Sequence, residues 1–201
     1  MRAGERWLIG VLIVGLAGMV AGFAGLDRVL AAAKFDQIGP VLSEAVAWLD
    51  LIFWKGRADY AAVVVMLIAV PVVARQAGPR HARLWAGAAI SAALSIALSH
   101  GLKPVFGRFR PFQAQEVLGQ PDLWFAGGTS FPSGHAGFYA GLFLPLALFW
   151  PKLAPLILVV PLFVVAQRVT MDFHYLSDVS AGVALAALLT LSVSRIVVPK
   201  T

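Results

Sequence analysis

Two histidines and a group of charged side chains fall into three short stretches: "LKPVFGRFRPF" from Leu102, "FPSGH" ending at His135, and "QRVTMDFHYLSD" from Gln167. Lys103, Arg110 and Arg168 supply three cations, and the planar forks of the two arginines match phosphate oxygens. Ser133 and Gly134 read as the start of a helix, where free backbone N–H groups and the helix dipole favour an anion. Pro132 suits that entrance because its missing N–H costs nothing there. His135, one position further in, is placed to give a proton to a departing oxygen. His174 stands four residues before Asp178, so in a helix the carboxylate reaches the imidazole. Such a pair fixes the tautomer and stabilises imidazolium, which suits histidine as a nucleophile. Two histidines and three cations around a phosphate are competent for metal-free phosphoryl transfer.

The elements that must position these groups are membrane helices. The 201 residues are 60% hydrophobic and only 13% charged, against about 25% charged in soluble domains. There is no cysteine, which excludes disulfides, thiolate nucleophiles, iron–sulfur clusters and cysteine zinc sites. Apolar runs approaching the ~20 residues that span a bilayer occur at Trp7–Leu26, Tyr60–Ala74, Leu84–Leu102, Gly134–Trp150, Leu153–Ala166 and Leu176–Val198. A cleaved signal peptide is the competing reading of the first run, since Arg2 and Arg6 precede it. Between the first two runs, Asp36, Ser43, Glu44, Asp50 and Lys55 alternate at helical spacing with Val41, Leu42, Ala45, Val46, Leu49, Ile52 and Phe53. This segment reads as an amphipathic helix lying in the interface, with Trp48, Phe53 and Trp54 as anchors. The expectation is an all-α, polytopic membrane bundle of about six transmembrane helices plus one interfacial helix. It forms a single domain over 1–201, with the motifs in 84–198 and an outer interfacial segment at 27–57.

Charge sets the expected orientation. With six spans, one side of the membrane holds Arg2, Arg6, Arg75, Arg80, Arg83, Lys152, Arg195 and Lys200 against Glu5 alone. The rule that cytoplasmic loops are basic places that side, with both termini, in the cytoplasm. The three stretches then share the opposite, periplasmic face. The net charge of +6 is thus topological, and a nucleic-acid partner is not expected.

The three stretches resemble the motifs of the type 2 phosphatidic acid phosphatase superfamily. The Lys-x6-Arg-Pro motif of that family matches Lys103, Arg110 and Pro111. Its Pro-Ser-Gly-His matches Pro132, Ser133, Gly134 and His135, and its Ser-Arg-x5-His-x3-Asp matches Arg168, His174 and Asp178, with Gln167 in place of serine. The resemblance implies a membrane lipid-phosphate phosphatase in which His174 attacks phosphorus and forms a phosphohistidine. Asp178 orients His174, and His135 protonates the leaving oxygen. Lys103, Arg110 and Arg168 neutralise the phosphoryl oxygens, with hydrogen bonds from Ser133 and Gly134. No cofactor, metal or obligate protein partner is implied; the partners are the lipid phosphate and the bilayer. A bacterial inner-membrane enzyme acting on undecaprenyl pyrophosphate, phosphatidylglycerophosphate or phosphatidic acid is expected. A lipid A phosphatase, a lipid phosphotransferase and a non-catalytic lipid-phosphate transporter are the alternatives.

The remaining polar and aromatic groups carry ordinary expectations. Arg108 lies outside the motifs, and contact with a lipid head group competes with a snorkelling interfacial arginine. His81 reads as a solvated loop residue, His100 as a helix-end hydrogen-bonding group and Asp172 as a loop former. Trp124, Phe125 and Phe131 read as interfacial anchors in preference to a lipid entrance. Gly137, Ala140, Gly141 and Gly182 are expected to permit close helix packing.

Overall fold

A computed structural model describes residues 3–33, 35, 37–118 and 122–197. Its elements are α1 (Ala3–Ala21), a π-helical turn (Gly22–Leu26), α2 (Asp27–Ala32), α3 (Ile38–Ile52), α4 (Ala61–Ala77), α5 (Pro79–Phe106), α6 (Pro111–Leu118), α7 (Gly134–Phe149), α8 (Ala154–Thr170) and α9 (Leu176–Val197). Each of the six apolar runs is helical over most of its described residues. Glu5–Ala32, Pro79–Gln115 and Leu176–Ser194 are long and apolar enough to cross a membrane, and Ala61–Ala77, Gly134–Phe149 and Ala154–Thr170 are shorter apolar helices. The fold is an all-α membrane bundle.

Helices α5, α7 and α9 pack on one another at the centre, with α1 along α9, α4 along α5, α8 along α7 and α3 on α8. Small residues make this approach close, as in membrane bundles generally. Ala88, Ala89 and Ala92 of α5, Ala136 of α7 and Ala186 and Ala187 of α9 are fully buried. A Cβ on Gly141 would come within 2.9 Å of the Ser91 carbonyl. The Ser91 and Thr190 hydroxyls share a buried hydrogen bond of 3.0 Å between α5 and α9. Large apolar side chains instead face outward, among them Val14, Ile68, Leu156 and Leu162. Polar bonds inside and bulky hydrocarbon outside fit a lipid surround.

The first apolar run continues beyond Leu26 as α2, through a kink at Gly25. The φ of 134° at that residue is open only to glycine. The kink turns Asp27 into the bundle, where it is 3% exposed. Removal of the run as a signal peptide would take away a helix packed along α9 and leave that contact unmade.

The α3 segment is helical as expected, but both polar and apolar side chains divide between its two sides. Val46 is buried in the core with Leu49 and Phe53 packed on it, and Glu44 is exposed. Ile38, Val41, Trp48 and Ile52 are exposed. Ser43 accepts from Gln167, Asp50 reaches α7 and α8, and Lys55, just after the helix, is buried against Asp59 at 2.8 Å. Ser43, Asp50 and Lys55 turn inward because partners wait there, and Ile38, Val41, Trp48 and Ile52 are left on the outside. Asp36 lies outside the described residues.

Candidate active site

The three motif-bearing stretches meet at one end of the bundle because backbone bonds tie them together. Helix α5 ends at Gly107, whose φ of 51° is left-handed. The chain after it is clamped by the returning loop. Phe109 donates to the Leu123 carbonyl, Phe125 to that of Phe106 and Ser130 to that of Arg108, each at 2.9 Å. The Ser133 N–H then donates to the Asp178 carbonyl at 3.0 Å, joining the start of α7 to the first turn of α9. Gly182 makes that junction fit, since a Cβ there would stand 2.6 Å from the Ser133 carbonyl. The His174 N–H donates to the Arg168 carbonyl at 3.0 Å and folds the turn after α8 back toward α9. Asp172 holds a left-handed φ of 54° in that turn, and burial pushes its carboxyl up.

At the inner side of this end, His174 and Asp178 form a buried pair. His174 Nδ1 lies 3.5 Å from Asp178 Oδ2, an oxygen that also accepts from the Ser130 hydroxyl at 2.5 Å and the Tyr175 N–H at 3.0 Å. With Nδ1–H directed at the carboxylate, Nε2 carries the free lone pair, which is the arrangement a nucleophile needs. Burial pushes the His174 ring down to about 4; Asp178 works against this, and Arg110 and Lys103 add to it. The ring is therefore neutral at physiological pH.

Arg108 corrects the expectation of a head-group or interfacial role. It is fully buried, donating to Asp178 Oδ1 at 2.5 Å, Asp27 Oδ2 at 2.8 Å and Asp122 Oδ1 at 2.9 Å. It also donates to the Ser177 hydroxyl at 2.6 Å, and Asp27 accepts from both the hydroxyl and the N–H of Ser177. The guanidinium lies 3.9 Å from the Tyr175 ring centre and 4.5 Å from that of Trp124. Three carboxylates hold it in place, so it serves as the fixed counter-charge behind Asp178. Trp124 and Phe131 wall it in: their rings meet each other, Phe23 and Phe106, and Phe131 is buried. Burial removes Phe131 from any anchoring role, whereas Trp124 is half-buried and Phe125 is exposed.

Lys103 and Arg110 behave in the opposite way. Lys103 is on the last turn of α5 and Arg110 immediately precedes α6. Both are half-buried, both bear on the His174 ring, and among the described residues neither side chain makes a hydrogen bond or ion pair. Buried or half-buried cations without partners are costly, which is the expected state of an anion site waiting for its ligand.

The outer side is built on α7, α8 and α3. His135 Nε2 lies 3.4 Å from Asp50 Oδ2, and the Arg168 guanidinium donates to the same oxygen at 3.1 Å. The Tyr139 hydroxyl donates to the other oxygen at 2.8 Å. Burial alone would raise the Asp50 carboxyl, but His135, Tyr139 and Arg168 hold it below the usual range. Arg168 Nε is buried with no partner among the described residues and remains available to an incoming oxygen. Ser133 caps α7 by accepting from the Ala136 N–H at 3.4 Å. Its own N–H is engaged by Asp178, so of its two donors only the hydroxyl is left for a ligand. Gly134 lies beside His100, whose ring meets Asp59 at 3.4 Å. His81 is in the first turn of α5, where its ring packs on Phe149 and Trp150, and is no loop residue.

The structure thus gathers His174, Asp178, Lys103, Arg110, Arg168, His135, Ser133 and Gly134 at one end of the bundle. Sequence reasoning missed Asp27, Asp50, Asp122, Ser130, Tyr139 and Ser177. Asp27 carried a readable signal, an acid at the end of an apolar run. Ser130 and Tyr139 carried none.

Comparison with known proteins adds an independent finding. Residues 84–201 match the family model described as the PAP2 superfamily. The chain is 30% identical over 197 residues to a lipid A 1-phosphatase of Rhizobium johnstonii, covering 90% of this chain and 77% of that one. No solved structure matches. The motifs, the bundle that assembles them and the family match agree, and the chain belongs to the PAP2 superfamily.

Proposed function

We propose that this protein is a membrane lipid-phosphate phosphatase working through a phosphohistidine. The observation that carries this reading is the neutral His174, locked by Asp178 and faced by the unpartnered Lys103 and Arg110. His174 Nε2 attacks phosphorus as the bond to the leaving oxygen breaks, and His135 gives that oxygen a proton. Lys103, Arg110 and the free Nε of Arg168 take the charge on the phosphoryl oxygens. Water then attacks the phosphohistidine; the nitrogen–phosphorus bond breaks, and His135 recovers a proton from the water. The three cations carry the charge that a metal ion would otherwise balance, so turnover proceeds in chelator.

The lipid tail has a place beside the leaving-group side. A groove of about 570 Å³ is lined by Phe53, Met66, Leu142 and Phe143, among others. Phe53 packs edge-on to Tyr139, whose hydroxyl binds Asp50 beside His135. The basic loops support an orientation with both termini in the cytoplasm of a bacterial inner membrane and the site toward the periplasm.

Similarity to a lipid A 1-phosphatase moves lipid A to the head of the substrate panel. Undecaprenyl pyrophosphate, phosphatidylglycerophosphate and phosphatidic acid follow it. The test is phosphate release by purified protein in detergent and chelator across that panel, with His174→Ala alongside. Release from one lipid, lost in the variant, is the expected result. Release only on addition of a second lipid as acceptor would make the protein a phosphotransferase, and binding without any turnover would make it a carrier.

A further inference from the structure

The family motifs account for His135 but not for what holds it. We infer that Asp50, on helix α3, is the positioning residue that orients His135 and favours its proton-donating state, and that it ties that state to the docking of α3. The inference rests on the histidine–phosphatase reading above and extends it to a residue far outside the motifs.

The geometry is specific. Asp50 Oδ2 bridges His135 Nε2 and the Arg168 guanidinium, at 3.4 Å and 3.1 Å, and Oδ1 is pinned by the Tyr139 hydroxyl at 2.8 Å. Tyr139 is one helical turn beyond His135 on α7, so the same helix presents the acid and the group that fixes its partner. Among the described residues, the charged groups facing His135 are Asp50 from α3, Lys55 from the turn after it, and Arg168 from α8. An imidazolium is opposed most by burial of the ring, and further by the cations Arg168 and Lys55. Asp50 is the one carboxylate that favours it. A general acid buried beside Arg168 and Lys55 would lose its proton without such a partner. The docking of α3 has a second fastening in the bond from Gln167 to Ser43, at 3.3 Å. Gln167 is the position where the chain departs from the serine of the family motif.

The proton path balances simply. His135 imidazolium gives its proton to the leaving alkoxide as the phosphorus–oxygen bond breaks and His174 bonds to phosphorus. The neutral ring then takes a proton from the attacking water. Asp50 stays ionised throughout and exchanges no proton. It therefore matters when the leaving group needs a proton and little when it does not.

The test compares two phosphomonoesters, dioctanoyl phosphatidic acid, whose alkoxide needs a proton, and p-nitrophenyl phosphate, whose phenolate does not. Asp50→Asn, which keeps an acceptor for Arg168, is expected to lower kcat on the lipid by about 100-fold, the lower end of what general acid catalysis supplies. The loss on p-nitrophenyl phosphate should be far smaller, KM should hold within about twofold, and the alkaline limb of kcat on the lipid should move to lower pH. Asp50→Glu restores part of the lipid rate, and it shows a weaker form of the same asymmetry if the asparagine variant does not fold. Equal losses on both substrates would overturn the inference and leave Asp50 as a packing group. A lower KM with tighter vanadate binding would also overturn it, making Asp50 a stand-in for phosphate that gates Arg168. His174→Ala separates the two levels: turnover surviving in that variant breaks the phosphohistidine reading itself, whatever Asp50 does.

Discussion

His174 and His135 each meet a carboxylate and lie near an arginine, yet the two arrangements are built on opposite plans. Around His174, the ring, Asp178, Arg108 and Asp27 are all at most 3% exposed. Each carboxylate there is held by several donors. Around His135, the side chains of the ring, Asp50 and Arg168 are 21%, 20% and 11% exposed, and the Arg168 Nε is unpaired. The carboxylate there comes from α3, which packs on α8 outside the central α5, α7 and α9. One half is fixed before substrate arrives and the other is left receptive. Under the proposed mechanism the nucleophile gains from pre-organisation, whereas the general acid must meet varied leaving groups.

Removing the proposed nucleophile is the sharpest break in that comparison. His174→Ala is expected to lower kcat/KM by on the order of 10⁴-fold or more, as loss of a covalent nucleophile does elsewhere. Rapid-quench trapping of acid-labile phosphoenzyme would check the assignment, with label present in the wild type and absent in the variant. His135→Ala should still accumulate label from p-nitrophenyl phosphate, since its leaving group departs unaided.

The arginines sharpen the contrast through stability. Arg108→Met leaves Asp27 and Asp178 buried without their counter-charge, and breaking a buried pair in this way costs about 3–5 kcal/mol. Arg168→Met strips only Asp50, which is partly exposed, so its cost should be smaller although phosphate binding fails. Thermal unfolding in detergent should show a much larger drop for Arg108→Met. Equal drops would erase the distinction between a structural and a substrate-binding arginine.

The spans and the three motifs were legible in the sequence because both are local. Hydropathy marks a helix within some twenty residues, and His174 and Asp178 are a single turn apart. The rest of the site was not, because its partners meet only in the folded chain. Arg108 and Asp27 are 81 residues apart, Asp50 and Arg168 are 118 apart, and Asp27 and Ser177 are 150 apart. Arg108 illustrates the difficulty. Its position beside Arg110 matched a head-group contact as well as anything else, until a kink at Gly25 brought Asp27 to it. Asp50 was read correctly as polar and helical, but periodicity does not say whether a polar face looks to water or inward.

Acid pH probes the inner half through the His174 ring. The buried His174 ring, held down to about 4, stays unprotonated well below the ordinary histidine value of about 6.5. The nucleophile is therefore active above that lowered value and is lost as pH falls through it. The acid limb of kcat/KM on p-nitrophenyl phosphate is expected near pH 4, with activity falling about tenfold per unit below it. A limb near pH 6.5 would mean that the ring is hydrated and its partner loose. The same burial makes acid destabilising: the unfolded chain takes up a proton that the native ring refuses between about pH 6.5 and 4, so stability falls as pH drops through that window.

The smallest expected effect is the most discriminating for the outer half. Tyr139→Phe removes one hydroxyl, whose bond to Asp50 Oδ1 is 2.8 Å long, and leaves the ring to pack on Phe53 and Phe138. A hydrogen bond to a charged group is worth about 1.5–3 kcal/mol, but Asp50 keeps His135 and Arg168, so only part of that reaches the reaction. A three- to tenfold fall in kcat on phosphatidic acid is therefore expected, about 0.7–1.4 kcal/mol, with p-nitrophenyl phosphate nearly unaffected. The ratio of the two rates is the quantity to measure, because it cancels any general loss of folded protein. If the ratio stays at the wild-type value while both rates fall, Tyr139 holds α3 against α7 and nothing more. If it shifts toward the aryl substrate, the hydroxyl is aiming the carboxylate, and the receptive half has an orienting shell of its own, as His174 has in Ser130 and Arg108.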